Sequence, residues 1–160
     1  LLRTHEGNQP AANAQAYDTG DTLTHFARMS KIYKALGFYR KELYAEAETK
    51  GYPLVRTLFL EFPDDAASWD VDDEMMLGSE ILVAPVKNKC FTAPLCPYDK
   101  EVYLPPGEWT HLFSGTSYGR AGQGTKVTVK APLGQPAVFY KKGSRVGATL
   151  VTNLRAAGVM

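Results

Sequence analysis

Residues 3–8, Arg-Thr-His-Glu-Gly-Asn, bring a guanidinium, an imidazole, a carboxylate and an amide close together. Such a set donates and accepts hydrogen bonds in several directions. Sugar hydroxyls need that mixture, because each is both donor and acceptor. A loop-holding role suits the same residues, so on composition alone both readings of His5 stand. Zinc does not fit: His5-Glu6 begins like a metalloprotease motif, but Gln9 occupies the place of the second histidine. His5, His25 and His111 supply no nucleophilic triad, since none accompanies a Ser or Cys in a strained elbow. His25 reads as a structural residue within a helix, and His111 as a strand residue that packs or faces water.

Other polar clusters are equally exclusive. The acids Asp64, Asp65, Asp70, Asp72, Asp73 and Glu74 lack the calcium-loop spacing with its central glycine, and they read as a solvated or helix-starting segment. Gly119, Gly122, Gly124 and Lys126 resemble a phosphate loop only loosely, because Thr125 stands where lysine is required and β-like residues come after it. A hairpin turn is the better account. Cys90 and Cys96 lack the short spacing of a zinc or redox pair, which leaves free thiols or a disulfide. The compartment is therefore open.

These groups must be positioned by the elements around them. Residues 1–20, with Gly7, Asn8, Pro10, Asn13 and Gly20, read as a loop after a strand cut off at Leu1. From Asp21, which is expected to cap it, Leu23, Phe26, Ala27, Ser30 and Tyr33 recur at helical spacing. Gly37 should interrupt that helix before residues 38–50 resume it, and Gly51 and Pro53 should end it. The apolar run at residues 54–62 predicts a strand buried on both faces, and residues 81–86 a second one. Beyond residue 80 short β-like runs stand at 101–104, 109–113, 125–131 and 137–140, with a further one at 145–151. Val127, Val129 and Ala131 alternate with Thr128 and Lys130, which predicts a sheet with one wet face. Residues 155–160 are expected to fray.

Composition narrows the class. Hydrophobic residues make up 44% of the 160 residues, enough for a core. Eighteen Lys and Arg against 17 Asp and Glu leave a net charge of +1, with no basic run of the kind nucleic acid demands. No apolar run approaches the ~20 residues of a membrane span.

The order of motifs is informative as a whole. Arg-Thr-His-Glu-Gly-Asn (3–8), His-Phe-Ala-Arg-Met (25–29), Gly-Tyr-Pro-Leu-Val-Arg (51–56), Leu-Phe-Leu-Glu-Phe-Pro-Asp-Asp (58–65), Leu-Gly-Ser-Glu-Ile-Leu-Val-Ala-Pro-Val (77–86), Val-Tyr-Leu-Pro (102–105), Gly-Glu-Trp (107–109), Ala-Pro-Leu-Gly (131–134) and Pro-Ala-Val-Phe-Tyr (136–140) succeed one another. Together they resemble the C-terminal part of family 31 glycoside hydrolases. The form of the first motif is most similar to the bacterial sulfoquinovosidase branch, which hydrolyses α-glycosides of 6-deoxy-6-sulfoglucose. Thr57 stands where many relatives have proline.

The resemblance implies an α/β plus all-β architecture: residues 1–78 as the last elements of a (β/α)8 TIM barrel, and residues 79–160 as an antiparallel β-sandwich. It implies a retaining α-glycosidase of sulfoquinovosidase or α-glucosidase type. The two catalytic aspartates would lie on earlier barrel strands outside this chain, so no catalytic residue, metal or cofactor is expected within it. His5 matches a histidine that hydrogen-bonds the sugar in the cleaved subsite, and Arg3 accompanies it as substrate-binding. The expected partners are an α-glycoside or sulfoquinovoside and the earlier part of the barrel, with no nucleic acid and no membrane. The rival is a non-catalytic carbohydrate-binding or scaffold module using Trp109, Tyr103 and Tyr118 as stacking surfaces.

Overall fold

A computed structural model describes residues 7–9, 11, 13, 15–87 and 99–160. Two helices open it, α1 (Gly20–Ala35) and α2 (Gly37–Lys50). The Gly37 interruption and the stop at Gly51 fall where the spacing placed them. Gly51 takes φ 75°, a left-handed cap that donates its N–H to the Ala47 carbonyl. The cap of α1 differs from expectation. Thr19, not Asp21, accepts from the Thr22 backbone while the Thr22 hydroxyl accepts from Thr19, a reciprocal box, and Asp21 sits in the first turn.

The expected strand at residues 54–62 is corrected to a two-residue strand, β1 (Val55–Arg56), followed by one helical turn, α3 (Leu58–Glu61). Only Leu58 of that turn enters the core, while Val55, Phe59 and Leu60 are exposed. An apolar run with so much surface in water does not fill a doubly covered strand. Thr57, the departure from the family pattern, is the extended residue preceding α3.

The remaining strands are β2 (Met75–Leu77), β3 (Ile81–Ala84), β4 (Asp99–Leu104), β5 (Gly107–His111), β6 (Ser117–Arg120), β7 (Thr125–Lys130) and β8 (Ala137–Lys141). They form a six-stranded sheet, β1-β2-β3-β8-β5-β6, and a two-stranded sheet, β4-β7, with every pair antiparallel. Among the described residues no strand precedes Val55 and none is parallel, so the barrel expected in residues 1–78 is not represented by strands. The β2–β3 ladder, Leu77 opposite Ile81, carries the sheet across the division expected at residue 78.

The large sheet is covered on both faces, and period-two alternation sorts its side chains. Leu82, Ala84, Ala137 and Phe139 join Val102, Leu104, Trp109 and Val129 in a core between the sheets. Ile81, Val83, Val138 and Tyr140 turn the other way, toward Ala35, Tyr39 and Leu43 of the first two helices. The small sheet keeps its outer face wet, as the alternation in β7 predicts.

The chain ends in a helix, α4 (Arg145–Ala156), where residues 145–151 read as β-like. Ser144 caps it by accepting from Gly147 N–H at 2.9 Å, and Val146, Leu150 and Leu154 project at four-residue steps into the helix-side core. Nor does the terminus fray, since Val159 is buried.

Arg28 joins the two ends of the chain. From α1 its Nε donates to the Gly134 carbonyl at 3.1 Å and its Nη1 to the Val159 carbonyl at 2.9 Å. Asn153 of α4 adds a bond to the Ala35 carbonyl at 3.1 Å. Arg28→Ala should cost about 1–3 kcal/mol, because two carbonyls lose a charged donor. Chemical denaturation checks this, and hydrogen exchange should rise in α1 and residues 157–160 together.

Candidate functional site

His5 and Arg3, the expected sugar contacts, lie outside the described residues, as do Glu6, Cys90 and Cys96. Gly7, within the same motif, donates its N–H to the Asn13 Oδ1 at 3.0 Å, and Asn13 Nδ2 donates back to the Gly7 carbonyl at 3.3 Å. This reciprocal amide pair fixes the chain two residues after His5. Gln15 N–H then bonds to the Asp18 carboxylate, and Thr19 starts α1. Asn13 carries no motif signal, and only its place among turn-forming residues marked it. Arg28 bolts α1 to the Gly134 and Val159 carbonyls.

The acidic segment is structural. Asp65 accepts from the Ser68 hydroxyl and the Tyr103 hydroxyl, both at 2.7 Å, which tethers the turn at Ala66–Trp69 to β4. Asp73 pairs with Lys100 at 2.6 Å and lies 3.7 Å from Lys87, and hydrogen bonding to Lys100 holds its carboxyl below the usual range. Among the described residues no group of three or more His, Cys, Asp or Glu is placed to hold a metal.

Glu74 is a group that sequence reasoning passed over as one acid among several. It is buried, its Oε1 accepts from Tyr103 N–H at 2.7 Å, and its Oε2 has no protein partner among the described residues. Burial pushes its carboxyl from 4.5 up to about 7, the charges of Asp73 and Glu101 push the same way, and Tyr103 N–H and Lys100 oppose. Desolvation favours the protonated form of its carboxyl.

Other expectations are settled by placement. His111 is buried, with Nδ1 2.9 Å from the Ser114 hydroxyl and rings of Phe113 and Phe139 about it, and burial lowers its pKa. It packs. His25 is exposed on α1. The glycine-rich stretch at 119–124 forms the corner between β6 and β7, which lie in different sheets, with Arg120 and Gln123 bonded across the turn. Trp109 is fully buried and donates to the Pro105 carbonyl at 2.9 Å, while Tyr103 and Tyr118 pack against the same core. Gly78 permits α2 to approach: it takes φ 56°, and a Cβ there would fall 2.1 Å from the Tyr39 hydroxyl, which accepts from Glu80 N–H.

The described residues therefore define a double-sheet β domain clasped by helices. Residues 51–146 match the model for the glycosyl hydrolase family 31 C-terminal domain, and the chain belongs to that family. It is 43% identical over 145 residues to a sulfoquinovosidase of Agrobacterium fabrum, covering 90% of this chain and 20% of that enzyme. To a sulfoquinovosidase of Escherichia coli it is 38% identical over 148 residues, covering 92% and 20%. A solved family 31 sulfoquinovosidase from E. rectale, in complex with an aza-sugar inhibitor, superposes with a TM-score of 0.83 at 35% identity, covering 98% of this chain and 22% of that one. The chain thus spans about a fifth of the length of these relatives.

The Glu74 shift makes a pH prediction. A carboxyl raised on folding contributes stability that is fully present below 4.5 and is lost as pH rises through about 7. Glu74→Gln removes that loss, so the variant should exceed the parent sequence by roughly 1–2 kcal/mol at about pH 8 and converge with it near pH 4. Urea titrations of both proteins across that range measure the difference.

Proposed function

We propose that this chain is the C-terminal part of a retaining α-glycoside hydrolase of sulfoquinovosidase or α-glucosidase type, acting on O-glycosyl bonds. The observation that carries the reading is the match to two sulfoquinovosidases over nine-tenths of the chain. In the retaining reaction one carboxylate attacks the anomeric carbon while a carboxylic acid protonates the leaving oxygen, and water then releases the sugar. The two groups stand about 5–5.5 Å apart across the bond.

Asp65 and Asp73 are held by Tyr103, Ser68 and Lys100, and Glu74 is buried. The reading therefore assigns both catalytic aspartates to earlier strands of a (β/α)8 barrel upstream of this segment. In this reading residues 1–78 belong to the end of that barrel, where sites on such folds gather. His5 donates to or accepts from sugar hydroxyls in the cleaved subsite, and Arg3 stands beside it.

A carbohydrate-binding module is less well supported. Its stacking tryptophan, Trp109, has no exposed surface, and Tyr103 spends its hydroxyl on Asp65.

The isolated 160 residues should hydrolyse neither nitrophenyl α-glucoside nor nitrophenyl α-sulfoquinovoside, and turnover above a buffer blank would count against the assignment of both acids upstream. In the full-length polypeptide His5→Ala should lower kcat/KM about 10²-fold, the loss of roughly 2–3 kcal/mol of transition-state binding. An unchanged value would return His5 to holding its loop.

A further inference from the structure

Among the described residues neither β4 nor β7 shares a backbone hydrogen bond with the six-stranded sheet. The small sheet is held by one apolar face, through Val102, Leu104 and Val129, and by side chains. Those polar ties run from β4 to carboxylates of residues 65–74. Glu74 Oε1 accepts from Tyr103 N–H at 2.7 Å, Asp65 accepts from the Tyr103 hydroxyl at 2.7 Å, and Asp73 pairs with Lys100 at 2.6 Å. Tyr103 is thus gripped at its backbone and at its ring tip, and a Cβ on Gly124 would fall 1.8 Å from its hydroxyl.

The ties differ in what a change of charge does to them. Asp73 meets two cations, Lys100 and, at 3.7 Å, Lys87, and hydrogen bonding to Lys100 holds its carboxyl below the usual range. Glu74 is 8% exposed, and its Oε2 has no partner among the described residues. A neutral carboxyl tolerates such a place, whereas a carboxylate there lacks the donors or water that would solvate its second oxygen. Burial is the largest influence on it; Tyr103 N–H and Lys100 of β4 favour the charge, while Asp73 and Glu101 oppose it. Burial and Asp65 raise the pKa of the Tyr103 hydroxyl, so that donor keeps its proton and its bond.

We propose that Glu74 is a proton-operated latch on the small sheet: protonated, it holds β4 against residues 65–74, and ionised, it draws in water so that β4 and β7 open from the larger sheet together. The proton passes to solvent, and hydration of the carboxylate replaces its burial. Opening uncovers Val102, Leu104 and Val129, so the closed sheet remains the ground state and the latch sets how often the excursion occurs. The event is local. Strands β3 and β8 keep their ladder and the helices packed on their other face. The latch goes beyond the enzymatic reading and does not depend on it.

Because the closed form favours the proton, opening should grow as pH rises from 4.5 and level off above about 7. Hydrogen exchange of the full-length polypeptide, read by mass spectrometry and corrected for the intrinsic effect of pH on amides, measures it. Strands β4 and β7 should open on the order of 10-fold more often at about pH 8.5 than at about pH 5.5, with β3 and β8 unchanged. Glu74→Gln should abolish the pH response. Tyr103→Phe, which loses only the Asp65 tie, should raise opening at both pH values and keep the response. A response that persists in Glu74→Gln, one shared equally by β3 and β8, or pH-independent exchange of β4 in the parent sequence would each overturn the proposal. Should Glu74→Gln fail to fold, the parent profile decides alone, since confinement to β4 and β7 is read without a variant.

Discussion

Burial of the six-stranded sheet on both faces is the constraint on which the other features depend. Adjacent residues of β3 and β8 serve different cores: Leu82 and Phe139 fill the space between the sheets, while Ile81 and Tyr140 meet the helices. A one-residue slip of either strand would exchange the two sets, so the register is held from both sides at once. It also explains why the helices cannot be treated as an appendage. Without α1, α2 and α4 the sheet would leave Ile81, Val83 and Val138 in water.

That constraint also places α1. Helix α1 lies on the sheet because Ala35 enters the helix-side core, and Arg28 fastens it to Gly134 and Val159. Ahead of α1, Gly7 and Asn13 are joined by two hydrogen bonds. The doubly covered sheet thus gives α1 a fixed base. Membership of glycosyl hydrolase family 31 gives that base its context.

The buried ionisable groups have the same logic. Arg56 is neutralised by Glu46 and Glu61 where the chain turns from helix to sheet, and Lys100 meets Asp73 at the other end of the segment. Glu74 is the exception, buried with one oxygen unpartnered by protein among the described residues, and its raised pKa is the physical consequence. Arg56, Asp73 and Glu74 lie between residues 56 and 74, the stretch with short elements and little regular hydrogen bonding, where specific polar contacts replace ladders.

The sequence by itself determined the features governed by neighbours along the chain: the two opening helices with their break at Gly37 and stop at Gly51, the short strands after residue 80, the wet face of β7, and, through ordered motifs, the family. It misread residues 54–62 and 145–151, because apolar and β-branched runs look alike whether they become strand or helix. The outcome depended on distant partners, the core that takes Leu58 and leaves Phe59 outside, and the helix-side core that accepts Val146, Leu150 and Leu154 at four-residue steps. The motif around His5 offered a candidate site, which lies outside the described residues, whereas Arg28 and Glu74 carried no signal: the carbonyls that Arg28 holds are more than a hundred residues away, and Glu74 is buried by a strand from elsewhere in the chain. Local spacing encodes which elements form; only tertiary contact decides which of their faces meet water and which charges must find a partner.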